Sequence, residues 1–180
     1  MIVILEYTDG FPFAKEDSEG QTYVVLCKAD KLNAILKNED GLIRANMFDA
    51  NVRVYQGETD VNNEMVATLE NNPRNFVLFN NGITIICNEL TPSGKTLKIS
   101  NPQVVNGCQT CNCIYKAVSK GYDISQAKVI VKVIETKGDS VAQGIVKGTN
   151  RQNIVYEEAF ETIRQFHKDL EEFFKVMEVP

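Results

Sequence analysis

No stretch of this 180-residue chain stays apolar long enough to cross a membrane, and the interrupted run 76–87 comes nearest. The opening, MIVILEYTDG, has no basic leader, so a signal peptide is not expected, and no N-x-S/T sequon occurs. Positive charge is scarce. The 19 Lys and Arg against 24 Asp and Glu leave a net charge of −5, and only five of the cations are arginine. That balance excludes a general nucleic-acid coat, which needs clustered cations against phosphate, but permits a local basic site. Five cysteines are sparse and odd in number, which suits reduced thiols in a cytoplasm rather than a disulfide framework. The single histidine, His167, would have to serve any Ser-His-Asp or Cys-His mechanism, and its polar helical surroundings offer no support.

What is present in excess is asparagine. There are seventeen, and thirteen of them fall between Asn46 and Asn112. Asparagine is disfavoured inside strands and helices and favoured at caps and turns. The crowd therefore predicts either many side chain-braced turns or an uncharged polar lining for a pocket. With 43% hydrophobic and 24% charged residues the chain is globular, and its length suits one domain.

The patterning predicts a mixed α+β domain, a small mixed sheet with packed helices. Residues 21–27, 96–99 and 127–135 read as strands, and 29–36, 61–71, 106–120 and 139–147 as helices. In the second helix Val61, Met65 and Leu69 form the expected apolar stripe, with Asp60 as cap and Pro73 as stop. Leu42, Ile43, Met47 and Phe48 have helical spacing, and 51–55 looks extended. Asn80-Asn81-Gly82 between two apolar runs predicts a hairpin turn, and Pro92-Ser93-Gly94 a second one. Residues 148–154 read as a polar loop, and 156–177 as a long amphipathic helix with an acidic opposite face.

The most informative stretch runs from Ile99 to Thr110. It is expected to pass through a Pro-fixed turn directly into a helix that Asn106 caps while Gln109 reaches back. Free backbone N–H groups at such a helix start, with Gly107 allowing close approach, favour an anion. Arg53, Arg74 and Arg151, each beside asparagines, are the candidate cations if they converge there. Cys108, Cys111 and Cys113 cannot all reach one metal from a regular helix, so buried thiols are expected. Glu135-Thr136-Lys137 imitates the E-x-K of metal-dependent nucleases, with Asp123 as the nearest further carboxylate. Thr91–Thr96 imitates the end of a P-loop but reads as a hairpin turn.

Taken together, Asn51-Val52-Arg53-x-Tyr55-x-Gly57, Val61-Asn62, Thr68-Leu69, Phe79-Asn80-Asn81-Gly82-Ile83-Thr84-Ile85, Asn101–Thr110 and Thr149-Asn150-x-Gln152-Asn153 occur in an order that resembles the AIPR family, the abortive-infection phage-resistance proteins of bacteria. The resemblance implies a cytoplasmic defence function and a longer parent protein, of which 1–180 is a piece whose other domains are partners. A more distant likeness is to the ParB/sulfiredoxin-like superfamily, in which a D-G-Q-H-R motif lies between strand and helix and faces a nucleotide or phosphate. Here Asn106 stands for the Asp and Thr110 for the Arg, so the likeness implies binding rather than inherited hydrolysis.

The expectation is a domain that binds a nucleotide or nucleic acid at the strand-to-helix turn. Asn106, Gly107, Gln109, Thr110, Arg53, Asn80, Asn81, Asn150 and Gln152 would line the site. Catalytic residues are not assigned and no membrane partner is expected. A non-catalytic scaffold is the first alternative. A Mg-dependent nuclease or nucleotide hydrolase using Asp49, Glu58, Glu64 or Glu135 is the second, and no cofactor besides that Mg is implied.

Overall fold

The sheet that positions the candidate site is built around the Val/Ile-rich segment near the end of the described chain. A computed structural model describes residues 1–13, 20–50 and 59–150. In chain order the regular elements are β1 (Ile2–Glu6), β2 (Asp9–Phe13), β3 (Thr22–Lys28), α1 (Ala29–Leu36), α2 (Asp60–Asn71), β4 (Ile83–Cys87), β5 (Glu89–Ser93), β6 (Thr96–Ser100), β7 (Gln103–Asn106), α3 (Cys108–Ser119), β8 (Lys128–Glu135) and α4 (Asp139–Asn150). Short 3-10 turns cover Ala45–Met47 and Pro73–Leu78. The architecture is α+β, as the patterning predicts, but with two sheets instead of one.

The larger sheet has the order β2-β3-β8-β4-β7, and the smaller β1-β6-β5. In β8 the alternation puts Val129, Val131 and Val133 into the core while Ile130 and Lys132 face outward. β4 lies parallel to β8 and is buried along its whole length, the pattern of a strand covered on both faces. β3 and β7 flank this pair antiparallel. The small sheet is antiparallel throughout, and Val3, Leu5, Leu97 and Ile99 project from it into the same core as α1 and α3. Glu135 ties the two sheets together by accepting from the backbone N–H of Gln21 at 2.9 Å and of Leu90 at 3.3 Å.

Local sequence explains both agreement and departure. α1 spans the expected residues, with Leu32, Ile35 and Leu36 buried. α3 ends in a Schellman arrangement: Gly121 N–H donates to Val118 O at 2.9 Å and Tyr122 N–H to Ala117 O at 3.1 Å, which satisfies carbonyls that lie beyond the helix's own ladder. β2 escapes the sequence pattern because Gly10 and Pro12 interrupt it. It survives because it is an edge strand, where a missing N–H costs nothing. Segment 76–79 is not a hairpin strand. Pro73 opens a 3-10 turn through Leu78, so Asn80-Asn81-Gly82 joins that turn to β4. The helical spacing at 42–48 yields only the 3-10 turn Ala45–Met47, and the extended reading of 51–55 lies outside the described residues. α4 continues through Asn150, so 148–150 is helix rather than loop, whereas 151–154 and the expected helix 156–177 lie outside the described residues.

Candidate functional site

β7 decides where the site forms. The sequence reading takes the chain from Pro102 straight into a helix, but four residues of strand intervene, and they carry a bulge. Thr84 pairs with Asn106 and Ile85 with Val104, which leaves Val105 as the extra residue on β7. The bulge lets the consecutive Val104 and Val105 both be buried, and Asn106 becomes the last residue of the strand. Asn106 is therefore not the helix cap. Gly107 holds that position, with φ of 88°, and no side chain caps the helix.

Two glycines bring the two asparagine motifs together. Gly82 and Gly107 both have positive φ, 76° and 88°. A Cβ on Gly107 would lie 2.7 Å from the carbonyl oxygen of Gly82, and one on Gly82 would lie 2.6 Å from that of Ile130. Both positions demand glycine twice over, for backbone conformation and for close backbone approach. The segments before β4 and after β7 thus close on each other. A cavity of about 310 Å³ opens beside them, lined by Val61, Met65, Phe79, Asn80, Asn81, Gly82, Asn106, Gly107, Cys108, Gln109 and Thr110.

Six of the nine expected residues meet in this cavity: Asn80, Asn81, Asn106, Gly107, Gln109 and Thr110. Their roles differ from the simple expectation. Asn80 is a brace. Its Oδ1 accepts from the Gly82 N–H at 2.9 Å and its Nδ2 donates to the Phe76 carbonyl, so both ends of its amide serve the turn. Asn106 Nδ2 donates to the Thr149 carbonyl at 3.2 Å, capping the last turn of α4 and leaving its Oδ1 for the cavity. Gln109 does not reach back as a capping-box partner. It turns toward α2, where its Oε1 accepts from Asn62 Nδ2 at 3.0 Å. Asn81 is exposed and its carboxamide has no hydrogen-bond partner among the described residues.

The cation expectation fares differently. Arg53 and Gln152 lie outside the described residues, as does Arg151. Arg74 is exposed on the 3-10 turn and does not line the cavity. Asn150 is the last residue of α4, one position beyond the carbonyl that Asn106 caps. Among the described residues the lining carries no charge.

The apolar wall is the part that the sequence reading missed. Of the expected stripe Leu69 is buried and Met65 packs partly against the core, but Asn62 and Val66 complete the buried face and Val61 lies outside it. Both Val61 and Met65 line the cavity, Met65 from the edge of the core and Val61 while 57% exposed. The signal was Asn62: a helix that buries an asparagine against Gln109 has its apolar stripe displaced. The cap of α2 is also one residue earlier, with Thr59 Oγ1 accepting from the Asn62 N–H at 3.2 Å in place of Asp60.

The other chemical candidates resolve into structure. All five cysteines are unpaired and buried. Burial pushes the Cys27 and Cys87 thiols up to about 12 and Cys113 to about 11, so none is primed as a nucleophile at neutral pH. Asp123 accepts from the Ser125 N–H at 3.0 Å, a turn brace that lowers its carboxyl. Glu135 is the inter-sheet tie described above. Among the described residues no three His, Cys, Asp or Glu side chains are grouped to hold a metal ion.

A second cavity, about 480 Å³, lies at the other end of the β4–β7 ladder and includes Cys87, Asn88, Asn101, Gln103, Thr136 and Lys137. No helix among the described residues is long and apolar enough to cross a membrane. In comparison with known families, the model described as AIPR protein matches residues 48–179. No curated protein and no solved structure matches the chain. The matched span includes both asparagine–glycine motifs and most of the chain, so the protein belongs to the AIPR family, whose name denotes abortive-infection phage resistance.

Proposed function

We propose that this AIPR domain binds a nucleotide or a nucleic-acid end in the cavity between α2, the Asn80–Gly82 turn and the start of α3, and that it serves phage defence in the bacterial cytoplasm through that binding. The observation that carries the reading is the convergence of Asn81, Asn106 and Gln109, from three separate elements, on one concave surface beside an exposed aromatic ring. Carboxamides present a donor and an acceptor side by side, which matches the edge of a base. Buried, reduced thiols agree with a cytoplasmic setting.

A thermal-shift screen against nucleotides and short DNA and RNA oligomers, with and without Mg, tests the proposal. A ligand that binds only the folded state raises the melting temperature with concentration. A shift that Asn106→Ala removes is the expected result, and Arg53→Ala tests whether that arginine contributes. No shift at millimolar nucleotide would favour the scaffold reading. That second reading has its own support in the apolar groove lined by Phe11, Val24, Leu26 and Ile130 on the larger sheet, where Phe11 is 55% exposed.

A further inference from the structure

The lining of the cavity between the two asparagine–glycine motifs says what part of a ligand it can hold. Every described side chain there is apolar or a neutral hydrogen-bonding group. A phosphate among them would meet the N–H groups at the start of α3 but no cation among the described residues, so the lining offers it only partial positive charge. A heterocyclic base has the opposite requirements: two apolar faces and an edge of neutral donors and acceptors. We infer that the cavity takes the base of its ligand, with Phe79 as the stacking surface and Asn81, Gln109 and Asn106 reading the edge, while phosphate stays outside. This rests on the proposed nucleotide or nucleic-acid binding and specifies how it is achieved.

Phe79 follows the 3-10 turn Pro73–Leu78 and is 67% exposed, although it lines the cavity. A ring so placed leaves apolar area in water that a stacked base would cover. Val61 and Met65 supply further apolar surface from α2. On the polar side the protein's own bonds fix what remains. A carbonyl can only accept, so the bond to Thr149 O must come from the amide nitrogen of Asn106, and its Oδ1 is left as an acceptor. Gln109 spends its Oε1 on Asn62 and keeps its Nε2 hydrogens as donors. Asn81 retains both groups among the described residues. Donors and acceptors of both kinds are thus available at one edge, which is the inventory a base requires. The volume, about 310 Å³, sits at the small end of ligand sites, in keeping with a base and its sugar.

The test is calorimetric titration of the full chain with adenosine, guanosine, cytidine and uridine, with their 5′-monophosphates, and with inorganic phosphate, each at 50 and 300 mM salt. Phe79→Ala and Asn81→Ala are run alongside; both residues are exposed, so folding is checked by denaturation and should be retained. The inference expects at least one nucleoside to bind within about threefold of its monophosphate, with little change between the two salts. Phe79→Ala should weaken that binding roughly 5- to 100-fold, the range of one lost base–aromatic stack. Binding of monophosphates or inorganic phosphate without nucleosides, with a steep salt dependence, would overturn base recognition while leaving nucleotide binding intact. Unchanged binding in a folded Phe79→Ala would overturn it too. If neither these probes nor short oligonucleotides bind, nucleotide binding itself fails, and base recognition with it.

Discussion

The two ends of the β4–β7 ladder both open into cavities lined by carboxamides, and they differ in how many of those amides brace the backbone and in the surface that stands beside them. At the larger one Gln103 uses both ends of its amide: its Oε1 accepts from the Ala50 N–H at 3.2 Å and its Nε2 donates to the Asn46 carbonyl at 2.7 Å. Asn101, with φ of 50°, accepts from the amino group of Met1 at 2.7 Å. Those two amides hold loops, whereas Asn88 on the same lining is exposed and makes no side-chain hydrogen bond among the described residues. At the smaller cavity Asn80 is spent in the same way, but Asn81, Gln109 and Asn106 keep unsatisfied groups beside an apolar wall. Cavity size is therefore the poorer guide to function here. Spare carboxamides occur at both ends, and the exposed apolar wall of Phe79, Val61 and Met65 beside them is what sets the proposed binding site apart.

The sharpest way to break this comparison is at the glycine that builds the smaller cavity. Gly107→Ala places a methyl 2.7 Å from the Gly82 carbonyl in a left-handed backbone, and we expect it to destabilise the fold by about 3 kcal/mol or more, read by urea denaturation. At the other end Asn101→Gly keeps the backbone accessible and forfeits only the Met1 contact. It should cost no more than about 1 kcal/mol.

The next pair separates bracing from availability. Asn80→Ala and Gln103→Ala each leave backbone groups without their side-chain partners and should lose about 1–2 kcal/mol of stability. Asn81→Ala should stay within about 0.5 kcal/mol of the parent, because its carboxamide has no partner to lose. Gln103→Ala should in turn leave nucleoside binding intact, and equal binding losses in Gln103→Ala and Asn81→Ala would dissolve the distinction between the cavities.

A further expected effect concerns pH and is common to both ends, because Cys87 and Cys108 line one cavity each. Burial raises these thiols above the unfolded range, Cys87 to about 12. An unfolded thiol ionises near 8.5–9 while the folded one stays protonated, so the stability is fully present below that range and declines as pH rises toward 12. Melting temperature should be flat between pH 6 and 8 and fall by pH 10. A rise over that interval would contradict the burial.

How far the sequence could reach is clear from the same elements. The local signals worked where one residue type had one use: α1, the hairpin at Gly94, whose turn falls at 94–95 after Pro92 and Ser93 complete β5, and the alternation of β8. They failed where a neighbouring element or a tertiary contact chose between uses. Asn80-Asn81-Gly82 has the chemistry of a hairpin turn, but Pro73 imposes a 3-10 turn on the preceding residues. Asn106 has the chemistry of a cap, but the bulge at Val105 keeps it in β7 and hands the cap to Gly107. The neighbourhood of the site was legible because its asparagines and glycines cluster in the chain. The division of those asparagines into braces and free groups was not, since it depends on partners as distant in sequence as Thr149.

The central claim is that the free amides at the smaller cavity are the ones that meet a ligand. The most direct measurement follows the side-chain amide resonances of Asn and Gln by two-dimensional 1H–15N NMR while the chain is titrated with adenosine, guanosine, cytidine and uridine. At least one nucleoside should shift Asn81 and Gln109 saturably while Gln103 and Asn88 hold still. Saturable shifts at Gln103 and Asn88 with Asn81 and Gln109 unmoved would place the ligand at the larger cavity and contradict it.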